Sequence, residues 1–302
     1  MKTAGLWIGI VGLVAGSVGA GPIDLTQVGG TTPFVAHIDV DAIKKSELGH
    51  FILGELAKDD EAVNGLAAID AMFHFDVTED LQGLTLLGVG DNPDNAVLMV
   101  RAKVDGPHLE TLLKANKSYK SKKTLGHVLH SWIDEKKAER TYGVILEDGG
   151  VLVGGNPESL KSQLKVLNGG APTLAKTNRH NLKGLAGTPL VQLSVDMQAL
   201  EGLEAEAEII QQARRVTLRV DQKGDQMAAT VGLVTGSESD AADLGDVLQG
   251  LVSFARLNRD EEPELARLAR MLKTSVEGSA VRLELEVPTK DLIDMAKEKG
   301  MK

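Results

Sequence analysis

The chain has 302 residues, of which 43 are acidic and 33 basic, and its formal net charge of -10 repels phosphate backbones. Aromatic residues make up only 3%, which leaves few ring platforms for nucleic-acid bases or sugar rings. No cysteine is present, so disulfides, thiolate metal sites, thioether-linked haem and a lipid-modified cysteine are excluded.

The opening Met1-Lys2-Thr3 is short and basic, Ala4 to Ala15 is apolar, and Val18-Gly19-Ala20 supplies the small residues of a signal-peptidase site. The expectation is therefore a signal peptide over 1–20, cleaved after Ala20, and an exported chain, periplasmic or secreted. An uncleaved anchor is the alternative, weakened by Gly5, Gly9, Gly12, Gly16 and Gly19 in a run of marginal spanning length. No integral membrane span is expected after cleavage. Residues 21–33 read as a linker.

Phe34 to Val40 alternates as a half-buried strand, with Phe34, Ala36, Ile38 and Val40 on one face and Val35, His37 and Asp39 on the other, more polar one. Asp41 follows where a helix begins and is placed to cap it. Helix is expected over much of Ser46 to Phe73. A hairpin then joins Leu84–Leu87 to Ala96–Val100 through Gly90-Asp91-Asn92-Pro93-Asp94-Asn95. Gly106-Pro107 starts a helix, and Lys114, Lys117, Lys120, Lys122 and Lys123 read as a solvated helix end and loop. Strands are expected at Val128–Ile133, Tyr142–Leu146 and Val151–Val153. A helix from Pro157 is stopped by Asn168-Gly169-Gly170.

The second half restarts the pattern. Val191 to Asp196 can be laid on Ala36 to Asp41, which makes Asp196 the counterpart of Asp41 and both of them structural caps. A helix from Leu200 to Ala213, strands at Val216–Val220 and Met227–Val234, helices at Ala241–Leu257 and Pro263–Leu272, a strand at Ala280–Val287 and a short helix from Thr289 complete the chain. The expected fold class is α+β, built as a tandem of divergent β-α-β-β-α-β, ferredoxin-like halves with antiparallel sheets and helices on one face. The expected domains are 34–170, with extra strands, and 189–302, separated by a linker at 171–188.

Signatures of chemistry are sparse. The sequence has no phosphate loop, zinc helix, nucleophile elbow or EF-hand loop, and Gly88-Val89-Gly90-Asp91 is a turn that lacks a dinucleotide fingerprint's third glycine. His37 and Asp39 sit side by side on one strand face, where, with Asp41, they could share a divalent metal or a proton. A capping role explains Asp41 without chemistry. His74 and Asp76 repeat the spacing at a helix end. His127 and His130 point to opposite faces of a strand. The Asp91–Asn95 turn offers oxygen ligands for calcium, yet hairpin turns favour the same residues for backbone reasons. Glu201 to Glu208 reads as a solvated helix face. No catalytic residue and no cofactor are assigned.

The segment Asp24-Leu25-Thr26-Gln27-Val28, with Phe34 to Ile43 and Ser46-Glu47-Leu48-Gly49, resembles uncharacterised exported bacterial proteins of planctomycete and verrucomicrobial type, which pair a signal peptide with a strand-aspartate-helix opening. The resemblance implies export and a strand-to-helix corner, and it carries no catalytic residue across. The expectation that follows is a non-catalytic envelope protein acting in protein-protein interaction or surface organisation. Its alternatives are a periplasmic protein that binds a small ligand or divalent metal and a hydrolase using the His/Asp cluster. A protein partner in the envelope is expected, and nucleic acid is not.

Overall fold

The computed structural model describes residues 23–92, 95–134, 138–182, 189–199, 212–257 and 263–298. The expected signal peptide, Pro93 and Asp94 of the hairpin turn, most of the Leu200–Ala213 helix and the Glu201–Glu208 run lie outside the described residues. The strands are β1 (Phe34–Asp39), β2 (Leu81–Leu87), β3 (Val97–Ala102), β4 (Lys120–Thr124), β5 (His127–Asp134), β6 (Glu139–Ile145), β7 (Val151–Gly154), β8 (Val191–Asp196), β9 (Arg215–Lys223), β10 (Gln226–Val234), β11 (Lys273–Glu277) and β12 (Ala280–Pro288). The helices are α1 (Val40–Lys45), α2 (Glu47–Leu56), α3 (Asp60–Phe73), α4 (Val77–Asp80), α5 (Gly106–Ala115), α6 (Pro157–Leu167), α7 (Leu174–Thr177), α8 (Glu238–Leu257), α9 (Pro263–Met271) and α10 (Thr289–Glu298).

Local chemistry sets the helix boundaries. Asp59 caps α3 and Asp105 caps α5, while α6 has Asn156 as its cap and Pro157 in its first turn. Each such cap is worth about 0.5 to 2 kcal/mol. Gly169, at φ +73°, follows the end of α6 in the left-handed region where glycine has no steric penalty.

The strands form one mixed α+β architecture around a single antiparallel sheet of 12 strands in the order β11-β12-β10-β9-β8-β1-β2-β3-β7-β6-β5-β4. Near its middle the β1–β8 pair joins the first-half strands to the second-half strands, running from Phe34 opposite Val195 to Ile38 opposite Val191. The expected break at 171–188 therefore does not divide two sheets. Nor does either half insert a strand between the two that flank its first crossover, as a split βαβ would. β1 pairs directly with β2, and β8 with β9. Strands consecutive in sequence pair directly here, the commoner outcome, even though four helices lie between β1 and β2.

Two strands escape the sequence pattern. β4 is an edge strand whose Lys120, Lys122 and Lys123 were expected in a loop, and lysines on an edge discourage pairing with another chain. β11, at the other edge, is short and largely exposed.

Helices cover both faces of the sheet even within the first half, where Val40 of α1 packs with Ile38, Leu84 and Val100 on the face opposite His37, contrary to the one-face expectation. On the His37 face of the first half, Leu160 and Leu164 of α6 pack against Val97, Leu129, Val144 and Leu152. On the opposite face of the second half, Ala241 and Leu244 of α8 pack against Leu233 and Val281. Full burial of each such leucine contributes roughly 1.5 to 3 kcal/mol. Val28, Val35, Leu87, Leu174 and Leu182 form a further cluster. The expected linkers at 21–33 and 171–188 thus have residues in the core: Val28 and Leu174 are each 1% exposed, and the Leu174 N–H donates to the Val28 carbonyl at 2.7 Å.

Candidate functional site

The sequence candidates cluster at the end of β1, in surroundings unlike those expected. Val35, His37 and Asp39 do share a face, but it is the most deeply buried part of the strand, not a solvated one. His37 is 2% exposed and bonds through Nδ1 to Thr85 Oγ1 at 2.8 Å on the neighbouring strand. Val28, Leu174 and Leu182 pack over this face beside Val35 and Leu87, so its polar alternation does not mark a wet face.

Asp39, not Asp41, is the N-cap of α1, and its Oδ1 accepts the Ala42 N–H at 2.9 Å. Its Oδ2 is buried without a hydrogen-bond partner. Burial, reinforced by the charge of Asp41, pushes its pKa from 3.8 to about 6, while the Ala42 amide, Arg101 and Lys45 pull the other way. The strand ends at Asp39, so Asp41 turns with the first turn of the helix. There it is fully buried and pairs with Lys44 at 3.2 Å, and Lys44 also donates to the Leu81 carbonyl at 2.7 Å. The position matching Asp196, the last residue of β8, is accordingly Asp39. Asp196 accepts the Gln198 N–H at 3.2 Å and pairs with Arg179 at 2.9 Å. Among the described residues, no three His, Cys, Asp or Glu side chains stand close enough to share a metal ion, so His37, Asp39 and Asp41 do not converge on one.

The polar row continues across the β1–β8 seam. His180, 1% exposed, receives the Ser194 hydroxyl at Nδ1 (2.9 Å) and donates from Nε2 to the Thr32 carbonyl (2.8 Å). Burial holds its pKa below the ordinary histidine value. Together with Arg179, which donates to the Thr31 carbonyl at 3.2 Å, it straps residues 31–32 to β8. A cavity of about 30 Å³ lies beside Thr85, room for a single water. Such a network ties the strands to the segment over them.

His74, His108 and His130 are also engaged. His74 ends α3 with φ 49° and stacks on His108, ring centroids 3.8 Å apart, while Asp76 caps α4. His130 is buried against the Tyr119 hydroxyl at 2.9 Å, and burial lowers its pKa. His127 faces the other side of β5. In the hairpin turn, Asn95 Oδ1 is taken by Asn156 at 2.8 Å.

What the molecule does expose is apolar surface. Along α8, Val247, Leu251, Phe254 and Leu257 are 50%, 52%, 69% and 79% exposed, and Leu265 of α9 is 49% exposed. The opposite side of α8 (Ala241, Leu244, Val252) is buried on the sheet, so the helix carries two apolar stripes. That doubling is visible in the sequence, where residues 244, 248 and 252 make one helical row and 247, 251 and 254 another. A second apolar feature is a groove of about 350 Å³ between α2 and α3, lined by Leu53, Leu56, Val63 and Leu66 with Asp70 and Asp76.

No known family model matches the sequence, and no curated protein matches it. Two solved structures, crystal forms III and I of TP0453, are similar at 10% and 12% identity, with TM-scores of 0.48 and 0.46. The alignments cover 91% of this chain in both cases and 98% and 97% of theirs.

Proposed function

We propose that this protein is an exported, non-catalytic protein of the cell envelope that acts by binding a protein partner through α8 and α9. The observation that carries the reading is the exposed row Val247, Leu251, Phe254 and Leu257 with Leu265. Scattered exposed leucines need no explanation, but a contiguous row on one helix marks an interaction surface. Export rests on the Met1–Ala20 pattern and on the resemblance to planctomycete and verrucomicrobial exported proteins. The candidate chemistry of His37 and Asp39 is sealed in the sheet, which favours binding over a hydrolase.

The same reading includes descent from a tandem duplication. Counted outward from the β1–β8 pair, the strands run β1-β2-β3-β7-β6 on one side and β8-β9-β10-β12-β11 on the other, with β5 and β4 as an addition to the first half. An antiparallel pair at the centre lets two such halves be related by a two-fold axis.

The test places a photocrosslinker at position 254 of the full chain in its native cell and fractionates the envelope. One discrete protein adduct, on a chain whose N-terminus is Gly21, is the expected result. A cytoplasmic chain that retains Met1, or no adduct from positions 251 and 254, overturns the proposal. The α2–α3 groove supports a small-ligand reading instead, since its volume falls at the lower end of small-molecule pockets. A rise in melting temperature with an apolar small molecule, lost in Leu66→Asp, would favour it.

A further inference from the structure

The exposed side of α8 has a regular spacing. Asp240, Asp243, Val247, Gly250, Phe254 and Leu257 are alternately three and four residues apart, the rhythm of the seam that a helix offers to another helix in a coiled coil. All six are exposed, and a Cβ built on Gly250 would meet nothing within 4 Å. The seam is divided by chemistry, with carboxylates over its first two positions and apolar or small residues over the rest. The spacing is independent of the sheet contacts, which use Ala241, Leu244 and Val252.

From this seam we infer the partner's chemistry: an amphipathic α-helix of another protein, with lysine or arginine opposite Asp240 and Asp243 and leucine-like side chains opposite Val247, Phe254 and Leu257. The inference rests on the proposed interaction role of α8 and specifies what it takes. At Gly250 the missing side chain leaves a gap for a bulky knob from the partner, as knobs-into-holes packing requires.

Charge separates this occupant from two others. A second copy of the chain paired in parallel would set Asp240 against Asp240 and Asp243 against Asp243. Paired antiparallel, it would press those carboxylates onto Leu257 and Phe254, which buries charge without a counterion. A bilayer rich in anionic lipid is repelled by the two seam carboxylates and by the chain's net charge of -10. A basic helix gains from both, in encounter rate and in discrimination against wrong partners.

The experiment uses the full chain and two synthetic helical peptides of about three heptads, leucine in the seam, with either two lysines or two glutamates at one end of it. Binding is followed by fluorescence anisotropy. The lysine peptide is expected to bind at least about tenfold tighter than the glutamate peptide, as oppositely charged seams select partners. Asp240→Lys combined with Asp243→Lys should invert that preference, and Phe254→Asp should abolish binding with the melting temperature unchanged. Equal binding of the two peptides, or binding indifferent to Phe254→Asp, overturns the inference. So does a concentration-dependent dimer in sedimentation that Phe254→Asp abolishes, or binding to phosphatidylglycerol vesicles in preference to the lysine peptide. If the peptides fail while the crosslinker at position 254 still yields its adduct, the helical partner is wrong and the interaction surface stands. If the adduct is also absent, both fall.

Discussion

Asp39→Asn is expected to raise the stability of the protein at neutral pH, because the wild-type carboxylate must ionise in a buried place. The pKa rises from 3.8 to about 6 on folding, and each unit is worth about 1.4 kcal/mol, so the ionised form costs about 3 kcal/mol above pH 6. Asparagine keeps the cap on Ala42 through its own oxygen. The neutral acid buries one unpaired O–H donor and the amide two N–H donors, so the amide returns about 1 kcal/mol of the gain, and the pH-dependent part of the difference between the two proteins is the ionisation cost. The sign follows from proton counting: between pH 4 and 6 the folded state holds a proton that the unfolded chain releases, so this group's contribution declines as pH rises through that window. His130 and His180 act in reverse. Burial lowers both pKa values, so acid favours the unfolded chain and stability falls as pH drops below about 6.5. In the wild type these slopes oppose each other and flatten the profile. Urea unfolding from pH 4 to 8 should therefore show an Asn variant about 2 kcal/mol more stable at neutral pH, losing that advantage as pH falls to 4, with a steeper acid limb. A gap that stays constant with pH, or a less stable variant at neutral pH, would refute the buried-charge account.

Lys44→Ala should cost about 3 to 5 kcal/mol in the same assay, since it removes a countercharge from the buried Asp41 carboxylate, and a joint Asp41→Leu, Lys44→Met replacement should recover most of it. Ser194→Ala should cost about 1 to 3 kcal/mol by leaving His180 Nδ1 without its donor. In Gly245→Ala the new Cβ would lie 2.5 Å from Val276 Cγ2 on β11, so a loss of about 1 to 3 kcal/mol is expected despite the better helix propensity of alanine. Adding Val276→Ala should restore part of the loss, and additive effects in that double-mutant cycle would argue against the contact.

Much of the element order is legible in the sequence because it depends on local chemistry. The Pro157–Leu167 helix has its proline, its cap and its glycine stop within a few residues, and the hairpin at Leu84–Val100 has its turn residues in place. The surroundings of His37 and Asp39 are not legible, because what covers them comes from far away: Thr85 on β2 and, along the same central strands, Val28, Leu174 and the His180 strap. Polar alternation on β1 looks like a wet face until the segments around Val28 and Leu174 are known to pack over it. The displacement of the cap from Asp41 to Asp39 has a smaller cause: the strand ends one residue short of the apolar run Phe34 to Val40, and Val40 already opens the helix. The strand β4 was missed because an edge rich in lysine carries no apolar period. The second stripe of α8 could have been read from its spacing, yet a helix row tells nothing about which of two apolar sides the sheet takes.

The β1–β8 pair also bears on the order of events during synthesis. A ribosome makes β1 and its neighbours β2 and β3 early, while the partner for the other side of β1 lies beyond Val191. Until β8 arrives, the Phe34–Asp39 backbone is an open edge with unpaired amides and carbonyls, a template for any extended chain nearby. Contacts so distant in sequence form slowly, and the His180 strap cannot close before Ser194 exists. Truncation anywhere between α6 and β8 would thus leave a self-adhesive fragment, and a chain that stays unfolded until its full length has crossed a membrane avoids that hazard.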